Sequence, residues 1–192
     1  VIDFSHPSLL NELLEYCVKT QTPLVLATTG YSEQQIEQIH IAAKQTAVFF
    51  SFNMSLGVNL LVELSKKAAE VLGDQFDIEV IEKHHNQKID APSGTAIMLV
   101  DEINHTLDEQ YKYVYDRHSV RKKRDKNEIG IHSVRGGTIV GEHEVIFAGR
   151  DEIVTLSHSA RSKEVFAVGA VKAALYLSGK VSGLYNMGDM LA

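Results

Sequence analysis

The sequence predicts an α/β protein: a partial parallel sheet covered on both faces, plus an α+β portion built on a mixed sheet. Three observations carry this reading. Up to Phe50, short runs of near-continuous apolar residues alternate with amphipathic helical patterns, as in parallel sheets buried on both faces. From Phe76 the pattern changes to strands separated by long loops, several of them alternating apolar and polar side chains. The 192 residues, 44% hydrophobic and 23% charged, are enough to bury a real core.

Val1-Ile2-Asp3-Phe4 reads as a short buried strand. Ser8 is placed as the cap of a helix whose residues Leu10, Leu13, Leu14 and Cys17 recur at helical spacing. Pro23 separates it from the strand Leu24-Val25-Leu26-Ala27, and Thr28-Thr29-Gly30 is the turn that follows. Ser32-Glu33 starts a helix carrying Ile36, Ile39 and Ala43, and Ala47-Val48-Phe49-Phe50 is a third strand. Residues 54–72 form a longer helix with Leu56, Leu60, Leu64, Ala68 and Val71 on one side, ended by Gly73-Asp74. Strands are expected over residues 76–82, 111–115, 129–134, 144–147 and 153–158, with a helix opening near Pro92-Ser93. Ser162 opens the last helix, on the stripe Val165, Phe166, Ala170, Ala173, Ala174 and Leu177, and Ser178-Gly179 stops it.

Composition narrows the function. A formal net charge of −6 argues against general nucleic-acid binding, and Arg121-Lys122-Lys123-Arg124 reads as a solvated loop. The single cysteine, Cys17, excludes an internal disulfide framework and suits a reducing compartment. No apolar run approaches the ~20 residues of a membrane span, and no signal-peptide pattern is present, so a cytoplasmic protein without a membrane partner is expected.

The chemistry concentrates in residues 82–96, read as the end of a strand, a polar loop, and a helix start. Serine is a favoured N-cap and proline is tolerated in a first turn. The backbone N–H groups of Gly94 and Thr95 then lie in that first turn, where a carboxylate or phosphate can sit. His84, His85 and Lys88 bring titratable and cationic groups to the same loop. A His-His pair alone is an ordinary solvated feature, and Pro-Ser-Gly-Thr alone is an ordinary cap; together they make an active-site expectation. No metal is expected, because His105, His118, His132, His143 and His158 show no ligand spacing. In open parallel sheets ligands bind beyond the carboxyl ends of the strands. Two loops occupy that edge, Ala27-Thr28-Thr29-Gly30 and Ser51-Phe52-Asn53-Met54.

Glu82, His84-His85, Lys88 and Asp90-Ala91-Pro92-Ser93-Gly94-Thr95-Ala96 resemble the signature of the 4-hydroxy-tetrahydrodipicolinate (dihydrodipicolinate) reductase family of lysine biosynthesis. Ala27-Thr28-Thr29-Gly30, residues 53–59, Arg135 through Glu144, Phe166-Ala167-Val168-Gly169-Ala170 and Gly183-Leu184-Tyr185 extend the likeness over almost the whole chain. The resemblance implies a partial Rossmann-like sheet, with residues 1–54 and 162–192 forming a discontinuous dinucleotide-binding domain. Residues 55–161 would form the domain that binds substrate and builds a homotetramer. It implies hydride transfer from NADPH or NADH to a cyclic imine dicarboxylate. His84 would be the general acid, since imidazole titrates near neutral pH, and Lys88 a second donor that also holds a carboxylate. His85, Gly94 and Thr95 would bind the carboxylates, with Lys163 near the pocket. Ala27, Thr28, Thr29, Ser51, Phe52, Asn53 and Met54 would contact the nicotinamide end, Phe166 more weakly. The family commonly has glycine where this chain has Ala27.

One family feature is missing. A complete member begins with a Gly-x-x-Gly-x-x-Gly-type loop that holds the cofactor pyrophosphate on a helix N-terminus, and none precedes Ala27. The expectation is a reductase without its first βαβ units, on the order of 60 to 75 residues, and therefore with weakened cofactor binding. Two other readings stay open at this point: a non-catalytic dicarboxylate-binding or assembly module, and a metal-dependent hydrolase using His84, His85 and Asp90.

Overall fold

The computed structural model describes residues 1–191, apart from the side chain of Asp74. The elements in order are β1 (Ile2–Asp3), α1 (Leu10–Thr20), β2 (Leu24–Leu26), α2 (Glu33–Ala43), β3 (Ala47–Phe50), α3 (Leu56–Leu72), β4 (Asp77–His84) and α4 (Gly94–Thr106). There follow β5 (Lys112–Val114), β6 (Glu128–Arg135), β7 (Gly141–Ala148), β8 (Ile153–Ala160), α5 (Glu164–Leu177), β9 (Gly183–Tyr185) and α6 (Met187–Leu191). They divide into two compact units, Val1–Asn59 with Glu164–Ala192, and Leu60–Lys163.

The first unit is an all-parallel sheet in the order β1-β2-β3-β9. Period-2 alternation sends Leu24, Leu26 and Val48 to one face, where they meet Leu10, Leu14 and Cys17 of α1 and Ile39, Ala42 and Ala43 of α2. Val25, Ala47 and Phe49 point the other way, onto Ala170, Ala173 and Leu177 of α5 and Met187 of α6. Burial on both faces is why these strands read as unbroken apolar runs. Ser32 caps α2 through a full capping box with Gln35. Ser8 does not cap α1: Pro7–Leu9 form a short 3-10 turn first, and the His6 ring accepts the Ser8 N–H at 3.2 Å. β9 and α6 were not anticipated; β9 is only three residues and gains its identity by pairing with β3.

The second unit is a mixed sheet in the order β5-β6-β4-β7-β8, with β4 parallel to β6 and antiparallel to β7. α4 and the α3 residues of this unit cover its inner face. The face of α3 that does so corrects the expected stripe. Leu60, Leu64 and Val71 are exposed, whereas Leu61, Val62, Ser65 and Ala69 are buried. Leucine and valine lie on both flanks of α3, so periodicity offered two faces, and docking on the sheet selected one.

On that inner face, two apolar rungs cross the sheet, Ile129–Ile78–Phe147–Val154 and Ile131–Val80–Val145–Leu156. The next rung is polar, Ser133–Glu82–His143–His158, and beyond it Arg135 pairs with His84. β4 therefore runs through Glu82 to His84, past the strand end expected at Glu82. β7 pairs with it as far as Lys83 and β6 as far as His84, and its burial alternates to the last residue.

Candidate active site

The polar end of β4 is the centre of the site. Glu82 and His84, two residues apart, point to the same buried face. His84 Nδ1 lies 2.6 Å from Glu82 Oε2. Arg135, opposite His84 on β6, spans both Glu82 oxygens at 2.8 and 2.6 Å in a bidentate pair. The Ser93 N–H adds a bond to Glu82 Oε1 at 3.1 Å. Burial pushes the Glu82 carboxyl up, but hydrogen bonds from Arg135, His84 and Ser133 outweigh it and hold the group down at about 2. Glu82 is an ionised acceptor at any physiological pH.

Ser93 then caps α4, its Oγ accepting the Ala96 N–H at 3.2 Å. The same oxygen lies 3.0 Å from His143 Nε2. The His143 ring meets that of His84 edge-on, with centroids 5.3 Å apart. Burial, then the neighbouring His84, lowers His143 to about 4, so it is neutral. Its Nδ1 is buried without a hydrogen-bond partner. Gly94 and Thr95 open α4 as expected, Gly94 exposed and Thr95 half-buried.

His85 follows the strand, half-buried, and the Lys88 N–H closes a turn on its carbonyl at 3.2 Å. Bonds from Gly136 N to His84 O and from Asn86 N to Gly137 O pin this turn to the β6–β7 connection. Lys88 Nζ lies 2.8 Å from Asp90. Among the described residues no group of three His, Cys, Asp or Glu is arranged to hold a metal ion, so the hydrolase alternative finds no ligand set. Lys163 is exposed at the end of this unit.

In the first unit, Ala27, Thr29, Phe52, Asn53 and Met54 line a cavity of about 290 Å³ with Phe4 and Phe166, beyond the carboxyl ends of β1 to β3. Its walls are aromatic and its polar groups few, which fits a flat nicotinamide ring. Two expected contacts do not line it. The Thr28 hydroxyl is buried and donates to Asp3 at 2.7 Å, and Ser51 Oγ donates to the Asn53 carbonyl at 3.0 Å. Asn53 Oδ1 takes the Ser55 N–H at 2.8 Å, fixing the loop into α3. Gly169 lets α5 approach this loop, since a Cβ there would fall 1.6 Å from the Met54 carbonyl oxygen.

Sequence reasoning missed Glu82, Arg135 and His143 as members of one network. The available signal was a carboxylate on the inward phase of a strand: a charge so placed needs a partner.

Comparison with known proteins identifies the family. The chain matches the family description "Dihydrodipicolinate reductase, N-terminus" over residues 1–54 and "Dihydrodipicolinate reductase, C-terminus" over residues 57–191. It is 54% identical to the 4-hydroxy-tetrahydrodipicolinate reductase of Caldanaerobacter subterraneus, covering 100% of this chain and 76% of the relative. With the enzyme of the same name from Clostridium tetani the figures are 52%, 100% and 74%. The solved structure of dipicolinate-bound dihydrodipicolinate reductase from Paenisporosarcina sp. TG-14 superposes with a TM-score of 0.80 at 25% identity, covering 100% of this chain and 72% of that one. A probable dehydrogenase from Thermotoga maritima shares the fold alone, at 10% identity and a TM-score of 0.53 over 98% of this chain and 72% of its own. The chain belongs to the 4-hydroxy-tetrahydrodipicolinate reductase family.

Proposed function

We propose that this protein reduces 4-hydroxy-tetrahydrodipicolinate to tetrahydrodipicolinate with NADPH or NADH, the 4-hydroxyl leaving as water, in lysine and diaminopimelate biosynthesis. The observation that carries it is the grouping of His84, Lys88 and the capped start of α4 at the polar end of one sheet. The nicotinamide cofactor supplies a hydride, and the aromatic cavity of the first unit is where its ring would be held. The chain's own residues do the rest. His84 delivers the proton that completes the reduction. The Lys88 cation and His85 hold one carboxylate, and the N–H groups of Gly94 and Thr95 hold the other. Preorganised donors aimed at developing charge are worth a few kcal/mol each.

Both helices of the second unit pack on the inner face of its sheet. The outer face carries Ile81, Val134, Ile146 and Ile153 among charges. A half-apolar sheet face is a liability that assembly resolves, and we place the homotetramer contact there. Light scattering from folded protein at micromolar concentration should show more than a monomer. The lone thiol Cys17 suits the cytoplasm.

Calorimetry with pyridine-2,6-dicarboxylate tests the site directly. Lys88→Ala should weaken binding by about 10- to 100-fold, the loss of one charge-assisted contact. Unchanged affinity would remove Lys88 from the carboxylate.

A further inference from the structure

Glu82 has no part in the chemistry above, yet it is fully buried and takes hydrogen bonds from Arg135, Ser93, His84 and Ser133. We propose that Glu82, clamped by Arg135, is the positioning residue for His84: it fixes the ring hydrogen on Nδ1 and leaves Nε2 as the nitrogen that releases the proton. The inference rests on His84 being the proton donor.

Arg135 is permanently charged and can only donate, so it keeps the Glu82 carboxylate ionised despite its burial. An ionised carboxylate only accepts. At 2.6 Å, His84 Nδ1 must therefore carry a hydrogen in both charge states of the ring. Only Nε2 gains and loses one. That nitrogen faces Gly141, where a Cβ would stand 3.1 Å away, so glycine at this strand position leaves it clear. In the delivery step the Nε2–H bond breaks and a C–H bond forms on the substrate. The ring returns to its neutral Nδ1–H form and Glu82 keeps its charge.

The charged and titratable groups around His84 come from four strands and a loop. They are Glu82 on its own strand, Arg135 on β6, His143 on β7, His158 behind it on β8, and the Lys88–Asp90 pair on the following loop. Among them the carboxylate in direct contact is Glu82. Removing it leaves the ring beside an uncompensated guanidinium.

The test compares pH profiles of kcat/KM for the purified enzyme and its Glu82→Gln, Glu82→Asp and His84→Ala variants. A general acid loses rate as pH rises through its pKa. Glu82→Gln should move that alkaline limb down by about one to three pH units and lower kcat at neutral pH about 10²-fold or more. Glu82→Asp should bring the limb back toward its original position. A folded Glu82→Gln enzyme whose limb stays in place overturns the inference, even if its rate falls. Unchanged kcat in His84→Ala overturns instead the assignment of the donor itself. Should Glu82→Gln fail to fold, ¹⁵N-histidine NMR of the unmodified enzyme decides. Neutral His84 protonated at Nδ1 supports the inference, and protonation at Nε2 refutes it.

Discussion

The inner face of the mixed sheet has two halves made by the same strands. In one half Ile78, Val80, Ile129, Val145 and Phe147 are sealed under α3 and α4. One rung further along β4, β6 and β7, the inward positions hold Glu82, Ser133 and His143. The backbone pairing is continuous across the change, so geometry is shared and only the chemistry differs. In the apolar half each fully buried side chain contributes on the order of 1.5–3 kcal/mol by leaving water. In the polar half burial is a cost that the Arg135–Glu82–His84 and Ser93–His143 contacts must offset. The apolar half supplies rigidity, and the polar half uses it to hold donors at fixed distances.

The sharpest way to break this contrast is a pair of truncations, one in each half. His84→Ala should lower kcat by roughly 10²- to 10⁴-fold, the scale of losing a general acid, with a smaller change in KM. Phe147→Ala should cost about 3–5 kcal/mol of stability while the folded fraction keeps its kcat. Steady-state kinetics and urea unfolding on both variants check this. If His84→Ala destabilised the fold but spared kcat, the polar half would be core by another name.

How much of this was legible from residues depends on whether burial and apolarity coincide. They coincide in β3, whose Ala47-Val48-Phe49-Phe50 run matches the observed strand residue for residue. They coincide again on α5, where Ala170, Ala173 and Leu177 are buried as the stripe implied. They part company at Glu82 and His84, which continue β4 with polar side chains facing in. A rule that equates inward with apolar ends the strand too early. Arg135 and His143 lie on other strands, at sequence separations of 53 and 50 from the residues they bond, so no local pattern could connect them. The loop motif at Ser93 was legible because N-capping is a local interaction.

Acid should also distinguish the halves, since only the polar one titrates. His143 has its folded pKa lowered from 6.5 to about 4 by burial and the adjacent His84. A depressed histidine favours the folded state fully above its unfolded pKa. Between about pH 6.5 and 4 the unfolded chain takes the proton first, and stability falls by about 3 kcal/mol. Glu82, also depressed, adds a further loss between about pH 4.5 and 2. Urea unfolding of His143→Gln across pH 7 to 4 should lack the first decline. A decline of equal size in that variant would assign it to other groups.

The smallest effect lies at the junction of the two halves, where Ser93 starts the helix that covers the apolar half. Its hydroxyl serves both sides at once, accepting the Ala96 N–H and contacting His143 Nε2. Its backbone N–H, bonded to Glu82, survives any side-chain replacement except proline. Ser93→Ala therefore removes a cap and a histidine partner but leaves the Glu82 clamp in place. The cap alone is worth about 1 kcal/mol, and His143, with Nδ1 already unpartnered, loses its remaining bond. A total of about 1–2 kcal/mol is expected. Ser93→Thr, which keeps the hydroxyl, should recover most of it. The first turn of α4 also presents the Gly94 and Thr95 N–H groups, so a frayed start should weaken pyridine-2,6-dicarboxylate binding several-fold. Loss of stability in Ser93→Ala with full dicarboxylate affinity would move the carboxylate off this helix start.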